Sequence, residues 1–235
     1  MELGEHLAEM RKRLIRSVLY VFAGTLVGYL FYGSFFRLLT SPVAGYLKEH
    51  NSQFLITHPA EGFMIEMVMS FIVGLILAFP FLTCEGWGFV APALTRTEKR
   101  GIFVVAPLSV ILFWCGILAA YWVLPSCIKW LASQNPPGAV FMPSVQQTLM
   151  FILKMCLAFG IVFQLPVVLM FFARIGIINS RIMKTYWRHA VVLISIIAAV
   201  TTPSNDAFTM MVMCVPMVFL YVLSIGLVKM VEKHK

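Results

Sequence analysis

The sequence predicts an all-α membrane protein with six transmembrane helices, and three observations predict it. First, 60% of the 235 residues are hydrophobic and only 12% are charged, too little polar surface to coat a water-soluble globule. Second, the apolar residues gather in six runs, and a helix crossing a roughly 30 Å hydrocarbon core needs about 20 residues at 1.5 Å per residue. Third, Lys and Arg alternate with these runs instead of collecting on one water-facing surface, which excludes a nucleic-acid binder despite a formal net charge of +8. No stretch between runs is long enough for a separate soluble core, so residues 1–235 read as a single integral membrane domain.

At the N-terminus, Leu3, Leu7, Met10 and Leu14 recur at helical spacing, with Glu5, Glu9 and Arg13 on the opposite face. This predicts an amphipathic helix over about 2–14 that lies along the membrane interface and then turns into the first span, about 17–36. Arg11, Lys12, Arg13 and Arg16 before an apolar run resemble a signal peptide. No small-residue cleavage site follows, however, and more spans do, so a retained helix is expected. A connection over 37–62, with Ser41-Pro42, should turn and hold little regular structure. The second and third spans are expected at about 64–84 and 102–124.

A second long connection, 125–147, carries Asn135-Pro136-Pro137-Gly138 and leads to the fourth span, about 148–173. The two long connections could form a cap on the outer face. The fifth run, about 190–202, would cover only about 20 Å, so it must borrow Tyr186 and Trp187, thin the bilayer or be sheltered by its neighbours. The sixth span occupies about 207–228. Pro80, Pro107, Pro125, Pro166 and Pro216 lie within or at the ends of spans and should kink several of them.

Charge sets the orientation. Basic residues concentrate before the first span, in the loop after the second (Arg96, Lys99, Arg100), around Arg174 to Arg188 and in the tail, while the alternate loops hold few. The positive-inside rule therefore places both termini in the cytoplasm.

Only ten acids occur, so their positions are informative. Glu9 can pair with Arg13 one helical turn on, and Thr95 with Glu98 forms a capping box. Glu85 stands at the inner end of the second span. Carboxylates at a low-dielectric boundary on the basic, cytoplasmic face also make a site for a guanidinium, which they can bind through bidentate charge-assisted hydrogen bonds. A basic peptide is the natural ligand. Within the spans, Gln164 interrupts an apolar run and needs a hydrogen-bond partner, whether a neighbouring helix or a ligand. Glu66, near the outer end of the second span, should snorkel to the headgroups, and Asp206 should cap the sixth span. Four methionines in that span (Met210, Met211, Met213, Met217) read as packing or as an adaptable surface. The five cysteines and five histidines lack metal-ligand spacing, so no metal or cofactor is expected.

These residues fit one family. His6-Leu7-Ala8-Glu9-Met10-Arg11-Lys12-Arg13-Leu14 resembles the N-terminal motif of TatC, the six-helix core of the twin-arginine protein translocase. Ser41-Pro42, Trp87-Gly88-Phe89-Val90-Ala91-Pro92-Ala93-Leu94 followed by Glu98-Lys99-Arg100, Phe159-Gly160 through Phe163-Gln164-Leu165-Pro166, and Thr202-Pro203 with Asp206 and Pro216 follow in the family's order. The resemblance implies that Glu9 and Glu98 bind the paired arginines of a signal peptide, with Arg11, Phe89 and Arg100 shaping the site. It implies a concave, glove-like bundle with spans five and six short. Single-span partners of the TatA and TatB type would dock on it, several copies would assemble in a hetero-complex in the bacterial inner membrane, and folded cargo would move on the proton-motive force without any enzymatic step. Gln164 stands where many members carry Glu, Glu85 where Gln is common, Val222 where Glu is common, and Ser204-Asn205 alters the Pro-rich approach to Asp206.

Two other classes compete. A small-solute secondary transporter would show repeated halves or paired midplane charges, and an intramembrane enzyme would need a nucleophile with its base or a metal set. The sequence displays neither pattern.

Overall fold

The computed structural model describes residues 3–49, 52–93, 96–136, 141–204 and 206–233, with side chains described throughout except at 3–6, 49, 93, 96–104, 231 and 233. Among the described residues the chain is built of α-helices: α1 (Leu3–Leu30), α2 (Tyr32–Glu49), α3 (Glu61–Val90), α4 (Arg96–Ser133), α5 (Val145–Val162), α6 (Leu165–Arg174), α7 (Ser180–Thr185), α8 (Trp187–Thr201) and α9 (Ala207–Lys233). A 3-10 turn, Ala91–Ala93, follows α3. Among the described residues five stretches are long and apolar enough to cross a membrane: Leu7–Leu30, Glu61–Val90, Val105–Ser133, Val145–Arg174 and Ala207–Met230. α8, with 15 residues, is a shorter apolar helix.

Two expectations are corrected. The N-terminal helix does not turn before the first span, because α1 runs unbroken from Leu3 to Leu30. Nothing between Arg13 and Ser17 breaks a helix: there is no Pro or Gly, and Arg side chains have good helix propensity. The connection after it is also not irregular, since α2 carries Pro42 inside a helix of 18 residues. Leu39, Val43 and Leu47, at four-residue spacing, are all buried. That apolar stripe holds the helix together across the proline.

The chain separates into two compact units, Met1–Leu39 with Ile56–Val110, and Thr40–Leu55 with Ile111–Lys235. In the first, α1 lies along α3 at backbone contact. A Cβ on Gly24 would come within 3.2 Å of the Gly74 Cα, one on Gly28 within 2.7 Å of the Ser70 carbonyl oxygen, and one on Gly74 within 2.7 Å of the Gly24 carbonyl carbon. Small residues four apart on both helices, Gly24 with Gly28 and Ser70 with Gly74, thus form the interface that such spacing favours between lipid-exposed helices. Tyr20 stacks on Phe81 nearer the other end, with ring centroids 5.2 Å apart. α3 starts at Glu61, which is 2% exposed and accepts from the Thr57 N–H at 2.6 Å, the Thr57 hydroxyl at 2.9 Å and the His58 N–H at 3.3 Å.

In the second unit, α4 and α5 also meet at glycines: a Cβ on Gly116 would lie 3.0 Å from the Gly160 Cα. The expected fourth span is continuous in length but broken in the middle. α5 ends at Val162, Phe163 and Gln164 form a turn, and Pro166 sits in the first turn of α6, where a missing N–H costs nothing. The two long connections touch through a short parallel bridge, with Leu55 N–H donating to the Pro143 carbonyl and Val145 N–H to that of Leu55, both at 3.1 Å. Tyr46 meets Phe141 edge-on beside it. Ser144 caps α5 and Asn179 caps α7. Met213 and Met217 are fully buried, so there the methionines serve packing, while Met211 is exposed.

Candidate functional site

At one end of the first unit, four charged side chains converge. Glu9 and Arg13 face the same way because they are one helical turn apart on α1, and α3 brings Glu85 alongside. Arg13 reaches both acids: its Nη2 lies 2.7 Å and its Nε 3.0 Å from Glu9 Oε1, and its Nη1 lies 3.0 Å from Glu85 Oε2. The same Nη1 is 3.4 Å from the Glu85 carbonyl oxygen. Arg16, one turn beyond, places Nη1 3.6 Å from Glu85 Oε1. The Glu85 side chain is only 11% exposed, so its pairing is screened less than an ordinary surface ion pair.

Space for this arrangement comes from a glycine. A Cβ on Gly88 would overlap the Arg13 guanidinium, coming within 2.9 Å of its Cζ. Trp87 closes the neighbouring face, its indole N–H donating to the Ser109 hydroxyl of α4 at 3.3 Å. Glu9 Oε2 accepts no hydrogen bond among the described residues, and Glu9 remains partly exposed. Among the described residues the site therefore presents one carboxylate oxygen without a donor, beside a guanidinium already bound.

The structure brings together two of the sequence-derived candidates, Glu9 and Glu85, by way of Arg13. Phe89 lies one turn beyond Glu85 on α3, and Arg11 is exposed on α1. Glu98 and Arg100 fall in the first turns of α4, and their side chains, like residue Thr95 of the expected capping box, lie outside the described residues. Gln164, Pro42 and Asp206 belong to the second unit. Gln164 occupies the break between α5 and α6, and Pro42 follows Ser41, whose hydroxyl is 2.7 Å from that of Tyr121. Asp206 caps α9 as expected, accepting from the Thr209 N–H at 2.8 Å. Burial pushes its carboxyl up, but hydrogen bonds from Ser204, Thr209 and Phe208 together bring it below the ordinary aspartate range.

Sequence reasoning missed the long-range half of the cluster. The Glu9–Arg13 pair is local and legible, whereas Arg13 to Glu85 spans 72 positions. The signals for it were the Gly24-x-x-x-Gly28 and Ser70-x-x-x-Gly74 spacings, which align α1 with α3, and Gly88 beside Glu85.

Together, the long apolar helices and a charge cluster at one end of a helix pair define a multi-pass membrane protein with a polar, charged patch at the end of α1 and α3. The family model described as Sec-independent protein translocase protein (TatC) matches residues 5–216, and the chain belongs to that family. It is similar to the Sec-independent protein translocase protein TatC of Aquifex aeolicus, 34% identical over 239 residues, covering 100% of this chain and 98% of that one. That of Desulforapulum autotrophicum is 36% identical over 222 residues, covering 94% and 82%. Two crystal structures of the twin arginine translocase receptor TatC superpose with TM-scores of 0.80 and 0.82 at 31% and 32% identity. They cover 96% and 94% of this chain, and it covers 98% of each. The family is one of protein translocases and not of enzymes.

Proposed function

We propose that this chain is the signal-peptide receptor and core subunit of a twin-arginine translocase, working as one six-span domain with both termini in the cytoplasm of a bacterial inner membrane. The basic loops support that orientation, and α8, short as it is, would be the fifth crossing. The observation that carries the reading is the Glu9–Arg13–Glu85–Arg16 cluster. It demonstrates that these carboxylates already accept guanidinium groups, which is the chemistry an arginine pair presents.

Two acids and two arginines leave the cluster with no net charge, so an incoming pair of arginines needs more negative charge. Glu98 supplies it, with Arg11, Phe89 and Arg100 shaping the approach. Gln164 takes a hydrogen-bonding part within the membrane, and Pro42 and Asp206 keep the outer connections in shape. A glove-like wall would receive single-span partners of the TatA and TatB type, and several such assemblies would move folded cargo on the proton-motive force.

The test is photo-crosslinking of a labelled signal peptide to the purified chain in nanodiscs. An Arg-Arg peptide should label it and a Lys-Lys peptide should not, because ammonium groups cannot form the bidentate contact. Glu9→Ala and Glu98→Ala should each lower labelling roughly tenfold or more, as loss of a charge-assisted acceptor does. Equal labelling by both peptides, or unchanged labelling of both variants, overturns the proposal.

A further inference from the structure

The second unit holds a basic concavity that the receptor reading does not use. Ser180, Arg181, Lys184 and Thr185 of α7 and Lys229 of α9 line a cavity of about 340 Å³. Arg181, Lys184 and Thr185 share a face because three and four residues separate them on the helix. α7 is held against α9 at two points: the Tyr221 hydroxyl donates to the Met183 carbonyl at 2.9 Å, and Glu232 accepts from the Ser180 N–H at 2.7 Å and from its hydroxyl. These bonds hold together the two helices whose side chains line the concavity.

Among the described residues, none of Arg181, Lys184 and Lys229 makes an ion pair or a hydrogen bond through its side chain. Among the described residues the acid at the edge is Glu232, which hydrogen-bonds Ser180 and pairs with none of the three cations. Hydrogen bonds from the Ser180 hydroxyl and N–H lower the Glu232 carboxyl below the usual range, so it stays ionised while facing Ser180. Three cations with one ionised carboxylate at the edge leave the concavity with a net positive charge, which suits an anion with several oxygens.

Position selects the source of that anion. Lys229 is the penultimate residue of the membrane-crossing stretch Ala207–Met230, so the cavity lies at the depth where hydrocarbon gives way to headgroups. Ile182, Tyr186 and Trp187 stand exposed next to it, and Met230 is exposed beyond Lys229. Aromatic and apolar side chains around a basic centre are the pattern of the membrane interface, where basic pockets between helices hold anionic headgroups. We infer that the Arg181–Lys184–Lys229 cavity is a binding site for the phosphate headgroup of an anionic phospholipid, with acyl chains running along the exposed apolar face of α8, where Val192, Leu193, Ile196 and Val200 lie.

Native mass spectrometry of the detergent-solubilised chain, titrated with cardiolipin, phosphatidylglycerol, phosphatidylcholine or inorganic phosphate, tests this. The two anionic lipids should be retained and phosphatidylcholine and phosphate should not. The triple variant Arg181→Gln, Lys184→Gln, Lys229→Gln should lose roughly tenfold in retention. Lys229→Gln alone should lose about threefold, which keeps the test valid if the triple variant misfolds, and Arg37→Gln with Lys48→Gln should lose nothing. Equal retention of phosphatidylcholine, unchanged binding by Lys229→Gln, or retention of phosphate as strong as that of lipid overturns the inference, the last by assigning the cavity to a soluble anion.

Discussion

Single side chains decide where helices begin and which charges meet. Asp206 closes the first turn of α9 through the Thr209 N–H, and its carboxyl lies below its ordinary range. A lowered folded value means that the ionised cap adds stability above the unfolded aspartate value, near 4, and that this stability is lost as pH falls through the folded value. Asp206→Ala should destabilise the chain by about 1 kcal/mol at pH 7. Asp206→Asn, which keeps an acceptor oxygen, should cost less and remove this residue's share of the acid sensitivity. Thermal unfolding in detergent between pH 7 and pH 3 reads both effects. This cap was legible from the sequence because it is local, within three residues. The Arg13 bridge to Glu85 was not, since its partner is set by how two helices align and no local spacing encodes it.

At the scale of elements, the α1–α3 interface depends on the absence of side chains. Gly24→Val or Gly74→Val would drive a β-branched group into the opposing backbone, where nothing flexible can give. Each should destabilise by about 1–3 kcal/mol or more and, by parting α1 from α3, should also separate Arg13 from Glu85. Gly33→Ala on α2, which meets nothing within 4 Å, should be neutral or stabilising by up to about 1 kcal/mol. Unfolding midpoints of the three variants check this contrast, and similar losses in all three would refute the close-contact account. The helix periods of these elements were readable, as was a disturbance at Pro166, though it was expected as a kink in one span and not as the end of α5. The unbroken α1 and the helical α2 were not: residue pattern located the polar-to-apolar change at Arg16 and the proline at 42, but neither is sufficient to end a helix packed along one face.

For the molecule as a whole, the proposed six-span reading makes α8 the helix that sets the fit to the bilayer. Its 15 residues span about 22 Å against a core of roughly 30 Å. Mismatch costs fractions of a kcal/mol per Å, so the chain should unfold at a higher temperature in nanodiscs of 14-carbon phosphatidylcholine than in 22-carbon lipid. An equal or reversed order would mean that neighbouring helices fully shelter α8 from the lipid. Tyr186 and Trp187 stand at the start of α8, beside the basic cavity of α7 and α9, so on these two proposals bilayer thickness and headgroup binding would act on adjoining residues.

Composition and hydropathy by themselves determined that this chain lives in a membrane, how many apolar segments it has and where its charges lie between them, because transfer from water to lipid is a sum over residues and needs no tertiary contact. The ordered motifs identified the family for the same reason: they are local strings. Only the tertiary structure decided that Glu9 and Glu85 share one arginine, that Gly88 makes room for it, and that Arg181, Lys184 and Lys229 gather around one cavity. Those facts depend on which faces of which helices meet, and that is settled by packing between segments tens of residues apart.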